Sequence, residues 1–188
     1  MDNRRYCPVC ARPLERRVLA DHERALCPDP DCGYVFWDNP IPVVAGIVEH
    51  EGALVFARNA LWPAGMYGLV TGFLEPREAP EDAVVREVAE ELSLDARIES
   101  FVGAYGFARK NQLLLAYHLV GEGEIQLNEE LAEYRHVARA EAEYWPGGTG
   151  LAVRDWLRGQ GYDPQPRELP DAVQAWMQQP PTTDASGN

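Results

Sequence analysis

Three glutamates on one predicted helix are the side chains of this sequence best suited to chemistry. Glu87, Glu90 and Glu91 stand at positions i, i+3 and i+4, so a helix places their carboxylates on one face. Carboxylates at this spacing repel one another, and a fold rarely tolerates that arrangement without a cation. Oxygen-only ligands suit Mg²⁺ or Mn²⁺. The spacing therefore predicts a magnesium or manganese site on this helix.

The glutamates are part of a longer motif. Its residues are Gly72, Glu78, Arg86, Glu87, Val88, Glu90, Glu91 and Leu94. They resemble the Nudix box, G-x5-E-x7-R-E-U-x-E-E-x-G-U, where U is a bulky aliphatic residue, and match eight of its nine specified positions. Ser93 stands where the family has glycine, at a helix C-terminus that favours a left-handed residue, so we expect some cost in stability. The alternative interpretation is a solvated acidic helix with Arg86 paired to Asp82 and Glu90.

The resemblance implies the metal ligands and the base. Glu87 and Glu91 would be the principal ligands, and Glu90 a ligand or the general base. Because the base varies within the family, Glu133 and Glu130 further along the chain are also candidates. Glu133 would then be a further metal ligand, and the alternative for it is a plain surface residue.

The resemblance also implies supporting roles for the rest of the motif. The carbonyl group of Gly72 would join the metal shell. Arg86 would orient the acidic side chains through ion pairs, and Glu78 would anchor the loop or bind the metal through water. The implied reaction is hydrolysis of a nucleoside diphosphate linked to another moiety. The implied fold is an α/β/α sandwich around a mixed sheet.

All four cysteines lie near the N-terminus, in two short knuckles. They are Cys7 and Cys10 in a C-x2-C pair, and Cys27 and Cys32 in a C-x4-C pair. This spacing is typical of a four-cysteine zinc ribbon, in which the metal supplies folding energy that a small core cannot. The alternative is two disulfides. Four thiolates complete a zinc site, so His22 between the knuckles needs no ligand role.

A zinc ribbon before a Nudix domain is similar to the NADH pyrophosphatase branch and its zinc-ribbon relatives. The segment 66–76, MYGLVTGFLEP, resembles the entry into the box in that branch. The branch also carries S-Q-P-W-P-F-P-x-S after the box, whereas residues 104–112 here read AYGFARKNQ, without Trp or Pro. The substrate thus stays open among NADH or NAD-type dinucleotides, ADP-ribose and FAD.

The replaced segment still offers candidate substrate-binding residues. Tyr105 and Phe107 are able to stack on a base, and Arg109 to meet a phosphate, with Gln112 beside them. The alternative is that the aromatic residues pack the core and that 109–111 form a hairpin turn. His50, His118 and His136 do not cluster in the sequence, so we expect each to be satisfied within the fold or exposed rather than a ligand.

Charge and hydropathy limit the partners. The net charge of −13 argues against a long nucleic-acid footprint, although the NAD-type cap of an RNA end remains possible. No apolar run is long enough to span a bilayer, and the N-terminus does not resemble a signal peptide. We expect a cytoplasmic protein that binds a small nucleotide, has no membrane partner and forms a homodimer.

The cysteine spacing predicts a ribbon over 1–36, the resemblance implies a Nudix domain over 37–160, and composition predicts a Pro-rich, mostly disordered tail over 161–188, with one short helix possible at 169–177. The predicted strands are 42–50, 53–58, 67–71, 96–107, 113–120 and 133–137, and the predicted helices 80–92 and 151–157. A rival of another class is a non-catalytic module that binds a nucleotide or another partner. A third possibility is a house-cleaning nucleoside triphosphate pyrophosphatase.

Overall fold

The structure is a computed structural model that describes residues 4–178. The chain divides after Asn39 into two compact units. Among the described residues, no helix is long and apolar enough to cross a membrane.

The first unit is a three-stranded antiparallel sheet. Its strands are β1 (Glu15–Leu19), β2 (His22–Leu26) and β3 (Val35–Phe36), in the order β1-β2-β3. Its buried side chains are Cys7, Ala25 and Cys27. A core this small supplies little hydrophobic free energy, so a unit of this size needs a further cross-link such as a metal.

The second unit is built on a six-stranded mixed sheet. Its strands are β4 (Ile41–His50), β5 (Ala53–Asn59), β6 (Val70–Phe73), β7 (Asp95–Phe107), β8 (Gln112–Glu122) and β9 (Leu131–Val137). The order is β7-β8-β4-β5-β9, and β6 pairs with β4. Strand β8 is parallel to β4, while the other pairs are antiparallel. The predicted mixed sheet is therefore confirmed.

Two helices cover opposite faces of this sheet. Helix α1 (Pro80–Leu92) packs on the face that holds Val44 and Val48, and helix α2 (Gly150–Gly159) on the face that holds Ala45 and Ile47. Neighbouring residues of β4 thus pack into different hydrophobic cores, because successive side chains of a strand point to opposite faces of the sheet. This is the predicted α/β/α sandwich.

The sequence of helix α1 explains where it begins and ends. Pro80 occupies its first turn, where a missing N–H costs nothing, and Glu81 and Asp82 favour the positive end of the helix dipole. Its buried stripe is Val84, Val88 and Leu92, and Val85 beside it is half-buried. The helix ends at Ser93, which has φ 58° and donates its N–H to the Ala89 carbonyl. The left-handed position expected for Ser93 is confirmed.

One strand differs from its prediction. Strand β6 covers Val70–Phe73 instead of 67–71, because its pairing with β4 begins at Val70 opposite Gly46. In the described part of the predicted tail, Pro166 pairs with Tyr144, and a third helix, α3, covers Asp171–Gln178, close to the short helix considered at 169–177. Val173 of that helix is buried, and its burial offsets part of the entropy of ordering the segment. The remainder of the predicted tail, 179–188, lies outside the described residues.

Candidate active site

Gly72 on strand β6 lies in close contact with the carboxylate of Glu87. A Cβ atom placed on Gly72 would lie 1.8 Å from the Glu87 carboxyl carbon and 1.8 Å from its Oε1. A side chain at position 72 would displace the Glu87 carboxylate, so glycine keeps that carboxylate in place through the close approach rather than through backbone conformation. The contact places a helix carboxylate against the backbone of β6.

Arg86 joins the loop before α1 to the glutamates on it. Its Nε and Nη2 donate to the two oxygens of Glu78 at 2.7 and 2.9 Å, a bidentate pair. Its Nη1 donates to Glu87 at 2.8 Å and to Glu90 at 3.1 Å, and Nη2 also donates to the Phe73 carbonyl. One guanidinium therefore fixes the loop carboxylate and two helix carboxylates relative to β6.

Glu78 is held as an anion by these contacts. Hydrogen bonds from Arg86, together with the backbone N–H of Glu75 at 2.9 Å, lower the pKa of Glu78 to about 2. The pKa of Arg86 is raised in turn, first by its hydrogen bonds to Glu78. Glu78 is thus engaged by the arginine and by its own loop.

The pKa of Glu91 is shifted in the opposite direction from that of Glu78. Its side chain is only 6% exposed, and burial, followed by the charges of Glu87, Glu130 and Glu90, raises its pKa to about 8. The pKa of Glu87 is also raised, chiefly by burial. Several carboxylates therefore share one partly dry site, and each disfavours ionisation of the next. An oxygen-only donor set of this kind fits Mg²⁺ or Mn²⁺, whose charge would let both carboxylates ionise.

The structure distinguishes the two downstream candidates. Residues after β8 lie along the C-terminal end of α1, where the Asn128 N–H donates to the Glu91 carbonyl at 3.3 Å. Glu130 is consequently close enough to raise the pKa of both Glu87 and Glu91. Glu133, the predicted metal ligand, instead accepts a hydrogen bond from Arg58 at 2.7 Å, which lowers its pKa. The structure thus brings Glu130 to the cluster and places Glu133 in an ion pair.

The candidate substrate residues lie along the β7–β8 hairpin, and they occupy different environments. Tyr105 packs in the core under α2 and its hydroxyl donates to Asp155 at 3.3 Å, a placement that favours its packing alternative. The Phe107 ring is half-buried and faces Gly148. Arg109 is exposed in a 3-10 turn over Ala108–Lys110, and Gln112 begins β8 opposite Phe107. The turn predicted for 109–111 is therefore present.

The four cysteines converge in the first unit. Their sulfur atoms all lie within 4.8 Å of one another, with Cys7 Sγ 3.6 Å from Cys32 and Cys10 Sγ 3.4 Å from Cys27. These separations are far above a disulfide bond, so the cysteines are free thiols. A tetrahedral Zn²⁺ with Zn–S near 2.3 Å would separate its sulfurs by about 3.8 Å. The sulfur cluster therefore fits zinc.

The thiol pKa values support the same fit. Burial raises the pKa of Cys27 to about 12. At Cys7 burial also raises the pKa, but hydrogen bonds from the backbone of Cys10 and Val9 and from the Cys32 and Cys10 thiols together outweigh it and lower the pKa to about 7. Four thiols in one site cannot all ionise without a cation, and zinc supplies the charge that makes four thiolates possible.

Residues 40–157 match the NUDIX domain. The chain belongs to the NUDIX family. It is 31% identical over 160 residues to the NAD-capped RNA hydrolase NudC of Mycobacterium tuberculosis, covering 82% of this chain and 48% of the relative. It is 30% identical over 130 residues to the NudC of Pseudomonas fluorescens, covering 69% and 46%. The chain thus spans about half the length of these curated relatives.

Solved structures show the same fold. A NUDIX hydrolase from Nitrosomonas europaea superimposes with a TM-score of 0.68 at 22% identity, covering 86% of this chain and 96% of that one. An ADP-ribose pyrophosphatase from Streptococcus suis superimposes with a TM-score of 0.55 at 17% identity, covering 69% and 100%. At these identities the likeness establishes the fold alone.

Proposed function

We propose that the chain is a metal-dependent hydrolase of nucleoside diphosphate derivatives, which cleaves their diphosphate bond and releases a nucleoside monophosphate. The observation that carries this proposal is a pair of carboxylates on one face of α1: Glu91 is buried, and the half-buried Glu87 lies against Gly72. Burying ionised carboxylates costs free energy unless a cation is bound. A bound cation would offset that cost and would also bind the oxygens of a diphosphate. Membership of the NUDIX family supports the reaction class.

Glu87 and Glu91 would hold Mg²⁺ or Mn²⁺, together with the carbonyl group of Gly72. When bound, the metal neutralises phosphoryl oxygens and lowers the pKa of a coordinated water. Glu90 is 57% exposed, and Glu130 lies beside the cluster, so each is placed to act as a further ligand or as the base that accepts a proton from water. Glu133 is the weaker candidate because it is engaged by Arg58.

Arg86 and Glu78 would act by positioning. Arg86 donates to Glu87 and Glu90 as well as to Glu78, so it sets the directions in which the helix carboxylates point. Glu78, held as an anion, ties the loop to that arginine. Neither residue needs to touch the substrate for its loss to misplace the metal.

The substrate class we favour is a dinucleotide-type diphosphate, which includes NADH, NAD⁺, ADP-ribose and FAD. The similarity to proteins named NAD-capped RNA hydrolases supports an NAD-type group as one candidate. Phe107, Arg109 and Gln112 remain the candidate contacts to the base and phosphates, and Tyr105 the least favoured. The net charge of −13 favours the small nucleotide, or an RNA cap alone, over a long RNA footprint.

The test is a product assay by mass spectrometry with Mg²⁺ or Mn²⁺. NADH, NAD⁺, ADP-ribose, FAD, an NAD-capped oligoribonucleotide, diadenosine polyphosphates and nucleoside triphosphates are offered in parallel. We expect a nucleoside monophosphate from at least one of the dinucleotide-type substrates. Turnover of triphosphates alone would indicate a house-cleaning enzyme. No turnover with the metal site filled would indicate the binding module.

Two variants on the same helix make the assay specific. Glu91→Gln removes a buried charge of the cluster and should abolish turnover. Asp82→Asn removes an exposed charge in the first turn and should leave turnover near that of the wild type. Equal activity of wild type and Glu91→Gln would contradict the proposed metal site.

The ribbon and the assembly are proposed separately. We infer that Cys7, Cys10, Cys27 and Cys32 bind one structural Zn²⁺ and that the chain forms a homodimer. Replacing Cys7 and Cys10 by serine should remove one zinc per chain, measured by elemental analysis. Light scattering of the wild type and of this variant then shows whether the chain is a dimer and whether the ribbon is needed for it.

A further inference from the structure

A second group of metal-binding side chains lies in the NUDIX unit, apart from the glutamates of α1. His50 ends strand β4, Glu51 follows it in the hairpin turn, and His136 lies on β9. The ligand atoms of these three residues all lie within 4.8 Å of one another. Along β4, His50 lies six residues beyond Val44, which pairs with Gly72. Six residues of a strand span about 20 Å, so this group lies well away from the glutamate cluster.

The hydrogen bonds of His50 fix its tautomer. Its Nε2 lies 2.9 Å from the Gly123 carbonyl, which only accepts, so Nε2 carries the proton. The lone pair is then on Nδ1, which faces Nε2 of His136 at 2.9 Å. A metal-binding histidine characteristically donates its other ring N–H to a carbonyl or carboxylate in this way. The buried His50 is therefore already oriented to ligate through Nδ1.

His136 is able to complete a pair of imidazole ligands. It is exposed, and its ring is near-parallel to that of His50, with centroids 5.1 Å apart. Two nitrogens bound to one tetrahedral Zn²⁺ at about 2.0–2.1 Å lie about 3.4 Å apart, so the pair must open by about half an ångström. A small turn of the exposed His136 ring supplies that opening. His136 then carries its proton on Nδ1 instead of Nε2, so that its Nε2 lone pair faces the metal.

Glu51 brings an anionic oxygen to the same place. It has φ +52° and precedes Gly52 at φ +80°, a tight turn in which asparagine, aspartate or glycine is the favoured first residue. The turn sets its carboxylate beside the two imidazoles. Two nitrogens and one carboxylate leave a fourth tetrahedral position for water.

We propose that His50, His136 and Glu51 bind a first-row transition-metal ion such as Zn²⁺. Imidazole nitrogen suits this class of ion, whereas Mg²⁺ prefers oxygen, so the site is chemically distinct from the glutamate cluster. The ion would join the β4–β5 turn to β9. Through the bond from His50 to Gly123 it would also brace the segment that leads to Glu130.

The test uses the full chain with its cysteines first saturated with Zn²⁺ and with millimolar Mg²⁺ present throughout. Further Zn²⁺ is then titrated by calorimetry, and the imidazole ¹⁵N resonances are followed by NMR. The chain has four histidines, which makes their assignment tractable. We expect one further equivalent of Zn²⁺, with shifts at His50 and His136 and none at His22 and His118.

Three variants complete the test. His136→Gln should weaken the affinity for the additional Zn²⁺ by at least tenfold, and Glu51→Gln by severalfold without altering the fold. His22→Gln, at an exposed position of β2, is the matched control and should bind as the wild type. The proposal is overturned if no further equivalent binds, if both His136→Gln and Glu51→Gln bind as tightly as wild type, or if the shifts fall on His22 or His118 instead.

Discussion

Glu91→Gln should make the metal-free protein more stable at pH 8 while removing its activity. The carboxyl of Glu91 is buried, and its pKa is raised to about 8 by burial and then by Glu87, Glu130 and Glu90. In the unfolded chain its pKa returns to an ordinary value near 4.5. Glutamine resembles the protonated acid in shape and lacks the charge, so the variant escapes the cost of ionisation.

The sign and size follow from the two pKa values. Below about pH 4.5 both states are protonated, and Glu91 contributes no pH dependence. Between about pH 4.5 and 8 the unfolded state releases a proton that the folded state retains, so stability falls as pH rises. A shift of about 3.5 units at 1.36 kcal/mol per unit gives an upper bound of about 5 kcal/mol. Since the carboxylates of the cluster share this penalty, we expect about 2–5 kcal/mol.

The assay is urea unfolding at pH 5 and pH 8 without added Mg²⁺ or Mn²⁺. The gain for Glu91→Gln should be about 1 kcal/mol or less at pH 5 and reach its full size at pH 8. Saturating Mg²⁺ should narrow or reverse the gap, because the cation stabilises only the wild-type cluster. Glu90→Gln is the matched control: its side chain is 57% exposed, so its effect should stay below about 1 kcal/mol. Equal stability of wild type and Glu91→Gln at pH 8 would refute the reasoning.

Two further substitutions test the geometry of the cluster, and a third tests the end of helix α1. Gly72→Ala drives a methyl group into the Glu87 carboxylate and should reduce turnover at least about 100-fold, measured with saturating Mg²⁺, because misplacing a ligand by about 1 Å has costs of this order. Arg86→Lys loses the bidentate pair with Glu78 and should raise the pKa of that carboxyl toward its ordinary range, read by carboxyl ¹³C NMR; an unchanged titration would contradict the assignment. Ser93→Gly relieves a left-handed residue at φ 58° and should raise the free energy of unfolding by about 0.5 kcal/mol, less than the full backbone gain because the hydroxyl bond to Gln126 is lost. A decrease would show that the hydroxyl bond outweighs the strain.

Local features of the chain were readable from the sequence because they depend on neighbours within a few residues. The spacing of Glu87, Glu90 and Glu91 and the apolar stripe of α1 follow from the period of a helix. The left-handed Ser93 follows from the motif that ends the helix. The resemblance to the family implied the layers of the sandwich, which the two separate cores confirm.

The contacts of the segment after residue 160 were not readable, because they are made with residues far along the chain. Composition predicted a mostly disordered tail there; in its described part, Pro166 pairs with Tyr144 and Val173 is buried. Proline removes backbone donors, but it does not prevent a segment from docking through its carbonyls and apolar side chains. Likewise, the sequence did not show which face of the sheet Tyr105 occupies. The register of β7 on β8 places its side chain on the face covered by α2.

The sequence by itself determined the NUDIX motif and the two cysteine knuckles, since each is encoded by spacing within a short segment, and the resemblance carried by that motif implied the layer architecture. Only the tertiary structure decided which distant residues meet. It placed Glu130 beside the cluster and Glu133 in an ion pair with Arg58, although the two glutamates are only three residues apart in the sequence. It also joined His50 to His136 across 86 residues. Strand pairing creates such contacts, and a register changed by one residue would turn each side chain to the other face of the sheet.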